Sequence, residues 1–261
     1  MRLLRAYLRR DLADDLAYRL TFVLELVDGL ILLAAVFLLS RGLAGMQASG
    51  YAPFAFLFVG LAVNAALNVS LACFAVSLRG SRAEGILRVS MIMPTPVSKQ
   101  VLASAVYPIL RGMFDAGLHL AAASLFGLSL AGANLPGAFL VFLIGLAAAA
   151  SLGIVSAAFA VVFRRGDPLL WLISVISLVL GGVFYPVDQL PAVLRAVAWV
   201  TPVAPALAAM RPLLLDGVAL SAVGPALAAL TMYAAVGIPG SLLLFSAAVR
   251  HARRRGTIKD T

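Results

Sequence analysis

Residues 182–202 read GVFYPVDQLPAVLRAVAWVTP: apolar enough for a membrane, yet holding Pro186, Pro191 and Pro202 together with Asp188 and Arg195. Proline inside a helix removes an intrahelical hydrogen bond and clashes with the turn before it. Irregular backbone at membrane depth is tolerated only where it is buried in protein or lines a wet cavity. The segment therefore reads as a helical hairpin that dips into the outer leaflet and returns. Gly181 and Gly182 loosen the end of the preceding span, and Pro186 ends it. Leu190–Val200 is expected to form one short helix, with Leu190, Val193, Leu194 and Val197 on its apolar side. Pro202 and Pro205 turn the chain, and Ala206–Leu215 forms a second helix. Trp199 and Tyr185 suit the headgroup level.

The rest of the chain fits a bilayer. Of 261 residues, 63% are hydrophobic and 12% charged, and the mean hydropathy is +1.05. A soluble domain is typically about half apolar, and a spanning helix needs roughly 20 mostly apolar residues. Six such spans are expected, at about 20–40, 51–78, 101–131, 135–163, 168–185 and 222–249. The expected fold is an all-α integral membrane domain over 1–261. It comprises an interfacial helix (1–19), six spans, a cytoplasmic loop (79–100) and a re-entrant hairpin (186–221). In the first 19 residues Leu4, Leu8, Leu12 and Leu16 form one helical stripe, with Arg5, Arg9, Arg10, Asp14 and Asp15 on other faces. Such a helix is expected to lie in the membrane interface, with a plain solvated lead-in helix as the alternative.

Basic residues set the orientation. The amino-terminal segment holds five, the second loop four (Arg79, Arg82, Arg88, Lys99), the fourth loop two (Arg164, Arg165) and the carboxyl tail five. The opposite side holds Arg41, Arg195 and Arg211. The positive-inside rule places both termini in the cytoplasm of a cell inner (plasma) membrane protein. The net charge of +9 reads as this topology signal against anionic lipid, not as a nucleic-acid surface. Residues 1–19 are too charged, and the apolar run after them too long, for a cleavable signal peptide.

Several chemistries find no motif. The only lysines, Lys99 and Lys259, do not follow a glycine, so no phosphate-cradling loop is present. His119 and His251 lie far apart, no HExxH, CxxC or GxSxG occurs, and a membrane enzyme is disfavoured. The single cysteine, Cys73, forms no internal disulfide and reads as a small buried residue.

The loop 79–100, RGSRAEGILRVSMIMPTPVSKQ, offers a short amphipathic helix over 81–89 and an extended exit fixed by Pro94 and Pro96. It suits either a docking plug for a partner or a solvated interhelical loop.

At this point the sequence resembles the permeases of the type-2 ATP-binding-cassette (ABC-2) exporter family. Their G-x-F-(F/Y)-P turn falls on Gly182, Phe184, Tyr185 and Pro186, and the L-P step on Leu190 and Pro191. Their P-x-x-x-A-L-x-x-x-R helix falls on Pro202, Ala206, Leu207 and Arg211. Their coupling region, E-G-T-L followed by two spaced prolines, is matched by Glu84, Gly85, Ile86, Leu87, Pro94 and Pro96. Ile86 departs from the usual threonine. The resemblance implies an exporter membrane subunit. It implies a second permease subunit, identical or homologous, and two separate ATPase subunits carrying ATP and magnesium. The coupling residues would be Arg82, Glu84, Gly85, Ile86, Leu87, Arg88, Pro94 and Pro96. This chain itself would need no cofactor or metal and catalyse nothing covalent.

Charges also fall inside the spans. Glu25 and Asp28 share a face of the first, and Arg111, Asp115 and His119 share a stripe of the third. Unpaired charges at mid-membrane cost roughly 2.5–3.5 kcal/mol each on insertion scales, so Arg111 is expected to pair with Asp115, Glu25 or Asp28. The same stripe suits a substrate path or gate; in the alternative reading, an ion-coupled transporter or channel, it carries the ion. Asn64, Asn68 and Ser70 are expected to bond between helices, and Gly145–Gly153 to pack helix on helix. Apolar spans, with aromatics at only 8%, point to drug-like, lipid or other amphipathic cargo.

Overall fold

The computed structural model describes residues 2–17, 19–42, 50–83, 97–163 and 168–254. Every regular element is helical: α1 (Arg2–Ala17), α2 (Arg19–Gly42), α3 (Pro53–Ala83), α4 (Val97–Leu125), α5 (Leu135–Phe163), α6 (Pro168–Leu180), α7 (Ala192–Val200), α8 (Val203–Arg211) and α9 (Gly224–Arg254). Single 3-10 turns occupy Val187–Gln189 and Leu220–Val223, and a wide π turn runs from Pro212 to Asp216. Among the described residues, three stretches are long and apolar enough to cross a membrane: Pro53–Val76, Leu135–Val161 and Leu220–His251. A fourth candidate is α7 with the segment Val203–Asp216, which meet at a bend of 92°. At 1.5 Å per residue, the 13 residues of α6 reach about 20 Å, short of a hydrocarbon core of about 30 Å.

α5 is the hub. It packs against α3 and α9, and α3 packs also on α4. Small residues permit this. A Cβ on Gly153 would sit 2.3 Å from the Leu71 carbonyl oxygen, and one on Gly145 would sit 3.3 Å from Leu67 Cδ2. The GLAAAASLG run thus packs helix on helix, as its composition implies. Ser70 adds the interhelical bond expected of it, donating to the Leu146 carbonyl at 2.8 Å. Asn68 does not: its amide donates within α3, to the Asn64 carbonyl at 3.0 Å and to Asn64 Oδ1 at 3.2 Å. A residue four positions back lies on the same helix face, so the amide finds acceptors without a neighbouring helix. Cys73 is buried, as expected.

Several boundaries differ from the sequence expectation. The third span was expected to reach residue 131, but α4 stops at Leu125. Gly127 takes φ +98°, and the Leu128 amide returns to the Ala123 carbonyl at 3.1 Å, which closes the helix. α3 continues through Arg79 to Ala83, so Ser81 and Arg82 belong to its last turn and not to a separate helix. The remaining coupling residues, Glu84, Gly85, Ile86, Leu87, Arg88, Pro94 and Pro96, lie outside the described residues.

Candidate functional site: the bent helix pair and the polar stripe

The hairpin is built from two turns and one cation. α6 ends at Leu180, earlier than the expected 185, because Gly182 adopts φ +83°, a conformation that favours glycine. That turn presents the Gly182 and Val183 carbonyls to the bundle interior. Arg211, at the last turn of α8, is 7% exposed. Its Nη2 donates to the carbonyls of Gly182 at 2.8 Å, Val183 at 3.1 Å and Phe56 at 3.2 Å. Its guanidinium carbon lies 3.5 Å from the centroid of the Phe56 ring, a cation–π distance. A buried cation must be satisfied in this way, although its Nε has no partner among the described residues. Gly60 makes the approach possible. A Cβ there would lie 2.6 Å from the Val183 oxygen and 2.8 Å from Arg211 Nη2. The clasp joins three distant segments: the first turns of α3, the end of α6, and α8.

Further ties surround it. The Tyr51 hydroxyl, just before α3, donates to Asp216 Oδ2 at 2.5 Å. Burial, with help from the Asp216 carboxylate, pushes the Tyr51 phenol up to about 12. Asn134, before α5, donates from its backbone to the Leu213 carbonyl at 2.8 Å and from its side chain to the Val218 carbonyl at 2.9 Å. Tyr185 donates to the Val179 carbonyl and Tyr233, on α9, to the Trp199 carbonyl. Pro186 and Pro202 are buried, Leu190 is half-buried, and Phe184 and Pro191 are exposed.

The second feature is the stripe on α4. Arg111 Nε donates to Asp115 Oδ1 at 3.0 Å and Oδ2 at 3.1 Å, the pairing expected at an i, i+4 spacing. His119 Nδ1 lies 2.6 Å from the Asp115 carbonyl oxygen, which can only accept. Nδ1 therefore carries a proton. The ring packs against Gly29 of α2, where a Cβ would fall 2.0 Å from His119 Nε2. Asp28 is exposed, and the side chain of Glu25 lies outside the described residues. Asp115, His119 and Gly29 line a cavity of about 210 Å³ between α2, α3 and α4. A second, of about 240 Å³, lies between α3, α4, α5 and the hairpin, with Met113, Phe139, Phe142, Met210 and Leu214 in its wall. Ala62 and Ala116 border both. Among the described residues no three His, Cys, Asp or Glu side chains cluster as metal ligands would.

With this geometry in place, the family model described as ABC-2 type transporter matches residues 2–215. The chain belongs to the ABC-2 type transporter family. The match covers the membrane permease domain and makes this a multi-pass membrane protein. No curated protein matches the chain in a sequence comparison. Within the ABC-2 fold the two halves of the hairpin signature touch: Gly182 supplies a carbonyl to Arg211 across 29 residues. The sequence alone placed Arg211 in the signature and counted its charge. That it is the clasp, and that Gly60, Tyr51 and Asp216 serve it, carried no sequence signal beyond an arginine in an apolar helix.

Proposed function

We propose that this chain is the membrane-spanning subunit of an ATP-driven exporter. It works as a dimer with a second permease subunit, identical or homologous, and two separate ATPase subunits hold ATP and magnesium. Six spans are assigned to α2, α3, α4, α5, α6 with its following turn, and α9. Both termini face the cytoplasm and the hairpin faces the outer side. The ATPase docks on the loop 79–100, and closure of the nucleotide sites moves the spans. The observation that carries this reading is the ABC-2 match over residues 2–215, supported by a helix pair bent by 92° in the signature region. Cargo is drug-like, lipid or otherwise amphipathic. Two largely apolar cavities, one bordered by Asp115 and His119, support that class: ligand sites are mostly apolar with a few placed polar groups.

The deciding experiment is a mild-detergent purification of the tagged chain from its native host, with co-purifying proteins identified by mass. A stoichiometric subunit with a phosphate-binding loop is expected. Purification of the chain alone at every detergent strength would overturn the exporter reading. In the assembled complex, Leu87→Glu is expected to leave ATP hydrolysis in place while abolishing transport.

A further inference from the structure

The two arms of the hairpin are held very differently. α8 is buried at eight of its nine residues, all but Ala208. Its last residue is the Arg211 clasp, and the π turn that follows is tied to Asn134 and Tyr51. α7 buries one residue, Ala198. Val193 is 75% exposed and Val200 65%. The side-chain bonds of Arg195 go to the Asp188 carbonyl at 2.6 Å and the Leu190 carbonyl at 3.1 Å, both within the hairpin. Among the described residues, the hydrogen bond that reaches α7 from a spanning helix is the one from Tyr233 to the Trp199 carbonyl. Between the arms, Thr201 is extended at φ −93° and ψ 147°, and Pro202 precedes the first residue of α8 as its N-cap.

We infer that the hairpin is a hinged pair: α8 is a fixed strut pinned by Arg211, and α7 is a leaf that swings about Thr201–Pro202, latched by Tyr233. Hinges are a few residues at element ends that absorb the change in φ and ψ, and an arm with few buried contacts opens at low free energy. The fixed strut matters as much as the leaf, because a leaf moves in a defined arc only if its pivot stays still. Three carbonyls from α3 and the α6 turn hold the far end of the strut at Arg211, and its pivot end is buried at Thr201, Pro202 and Val203. The use of this leaf as an exit gate rests on the exporter reading; the hinge itself does not.

The test uses the full chain in lipid nanodiscs, in a Cys73→Ala background, with spin-label pairs at residues 125 and 193 and at residues 125 and 208. Leu125 is 86% exposed at the end of α4, and Ala208 is the exposed position of α8. Pulsed dipolar spectroscopy is expected to give a distance distribution at least twice as broad for 125–193 as for 125–208. Tyr233→Phe broadens the first further and leaves the second unchanged. Arg211→Met broadens the second. Equal widths in the parent, or no response to Tyr233→Phe, overturn the hinge. If Arg211→Met does not insert, the parent and Tyr233→Phe pairs still decide. These measurements contain no ATPase, so a rigid leaf would refute the hinge while leaving the exporter reading to the purification experiment.

Discussion

Replacing Gly153 with alanine tests the packing at the hub most directly. The added Cβ would sit 2.3 Å from the Leu71 carbonyl oxygen and 3.0 Å from both the Leu71 carbonyl carbon and Phe74 Cδ2. An ordinary carbon–oxygen contact is about 3.3 Å or more, so the deficit is about 1 Å. The obstacle is backbone, which cannot rotate away, and α3 and α5 must therefore separate by about that distance. Overpacking of this kind costs about 1–3 kcal/mol. For a chain of this size each kcal/mol lowers Tm by about 2–4 °C, giving an expected fall of roughly 2–12 °C. Thermal unfolding in a fixed detergent, followed by fluorescence-detected size exclusion, measures it. Two further variants grade the effect. Gly145→Ala meets Leu67 Cδ2 at 3.3 Å, a side-chain end that can yield, and its fall is smaller. Gly117→Ala meets nothing within 4 Å and gains up to about 1 kcal/mol of helix propensity, so its Tm holds or rises. A Gly153→Ala chain as stable as the parent, or as stable as Gly117→Ala, would refute the reasoning.

Other outcomes follow from the remaining contacts. Tyr51 titrates at about 12 instead of its usual 10. Its stabilising contribution is whole below pH 10 and is lost as pH rises toward 12, because the native state holds the phenolic proton longer than the unfolded state. Ultraviolet titration should show Tyr51→Phe removing a late-titrating phenol and flattening stability over that range. Gly29→Ala drives a methyl group into His119 Nε2; a cysteine crosslink between α2 and α4 in the Cys73→Ala background should form more slowly than in the parent. Gly60→Ala intrudes on both Arg211 and the Val183 carbonyl, and is expected to expose the hairpin to limited proteolysis between α6 and α8.

The hairpin was legible because proline and glycine act locally. Gly182 and Pro202 break the chain as read, but α6 already ends at Leu180, ahead of Pro186, and Pro205 lies inside α8 instead of turning the chain. The pairing of Arg111 with Asp115 was legible for the same reason, being four residues apart on one helix. The Arg211 clasp was not. Its acceptors are backbone carbonyls 155, 29 and 28 residues away in sequence, and carbonyls carry no side-chain identity to read. The orientation of α7 was half legible. Its apolar stripe was visible, but Val193 and Leu194 face outward. In a bilayer an apolar face need not turn inward, because lipid is as good a solvent for it as protein. Asn68 was misread because a polar residue in a span advertises a need for a partner without saying on which helix.

Arg195 and Arg211 also bear on how the chain is assembled. On the proposed orientation both must be carried across the bilayer, against the preference of arginine for the cytoplasmic side. Arg195 finds its carbonyls at Asp188 and Leu190, so it is satisfied as soon as its own hairpin arm forms. Arg211 depends on Phe56, Gly182 and Val183, and has no such local shelter. The first arm is self-sufficient at insertion. The second must wait until α3 and the end of α6 stand side by side, which makes Arg211 a late checkpoint that seats only when the bundle has been put together correctly.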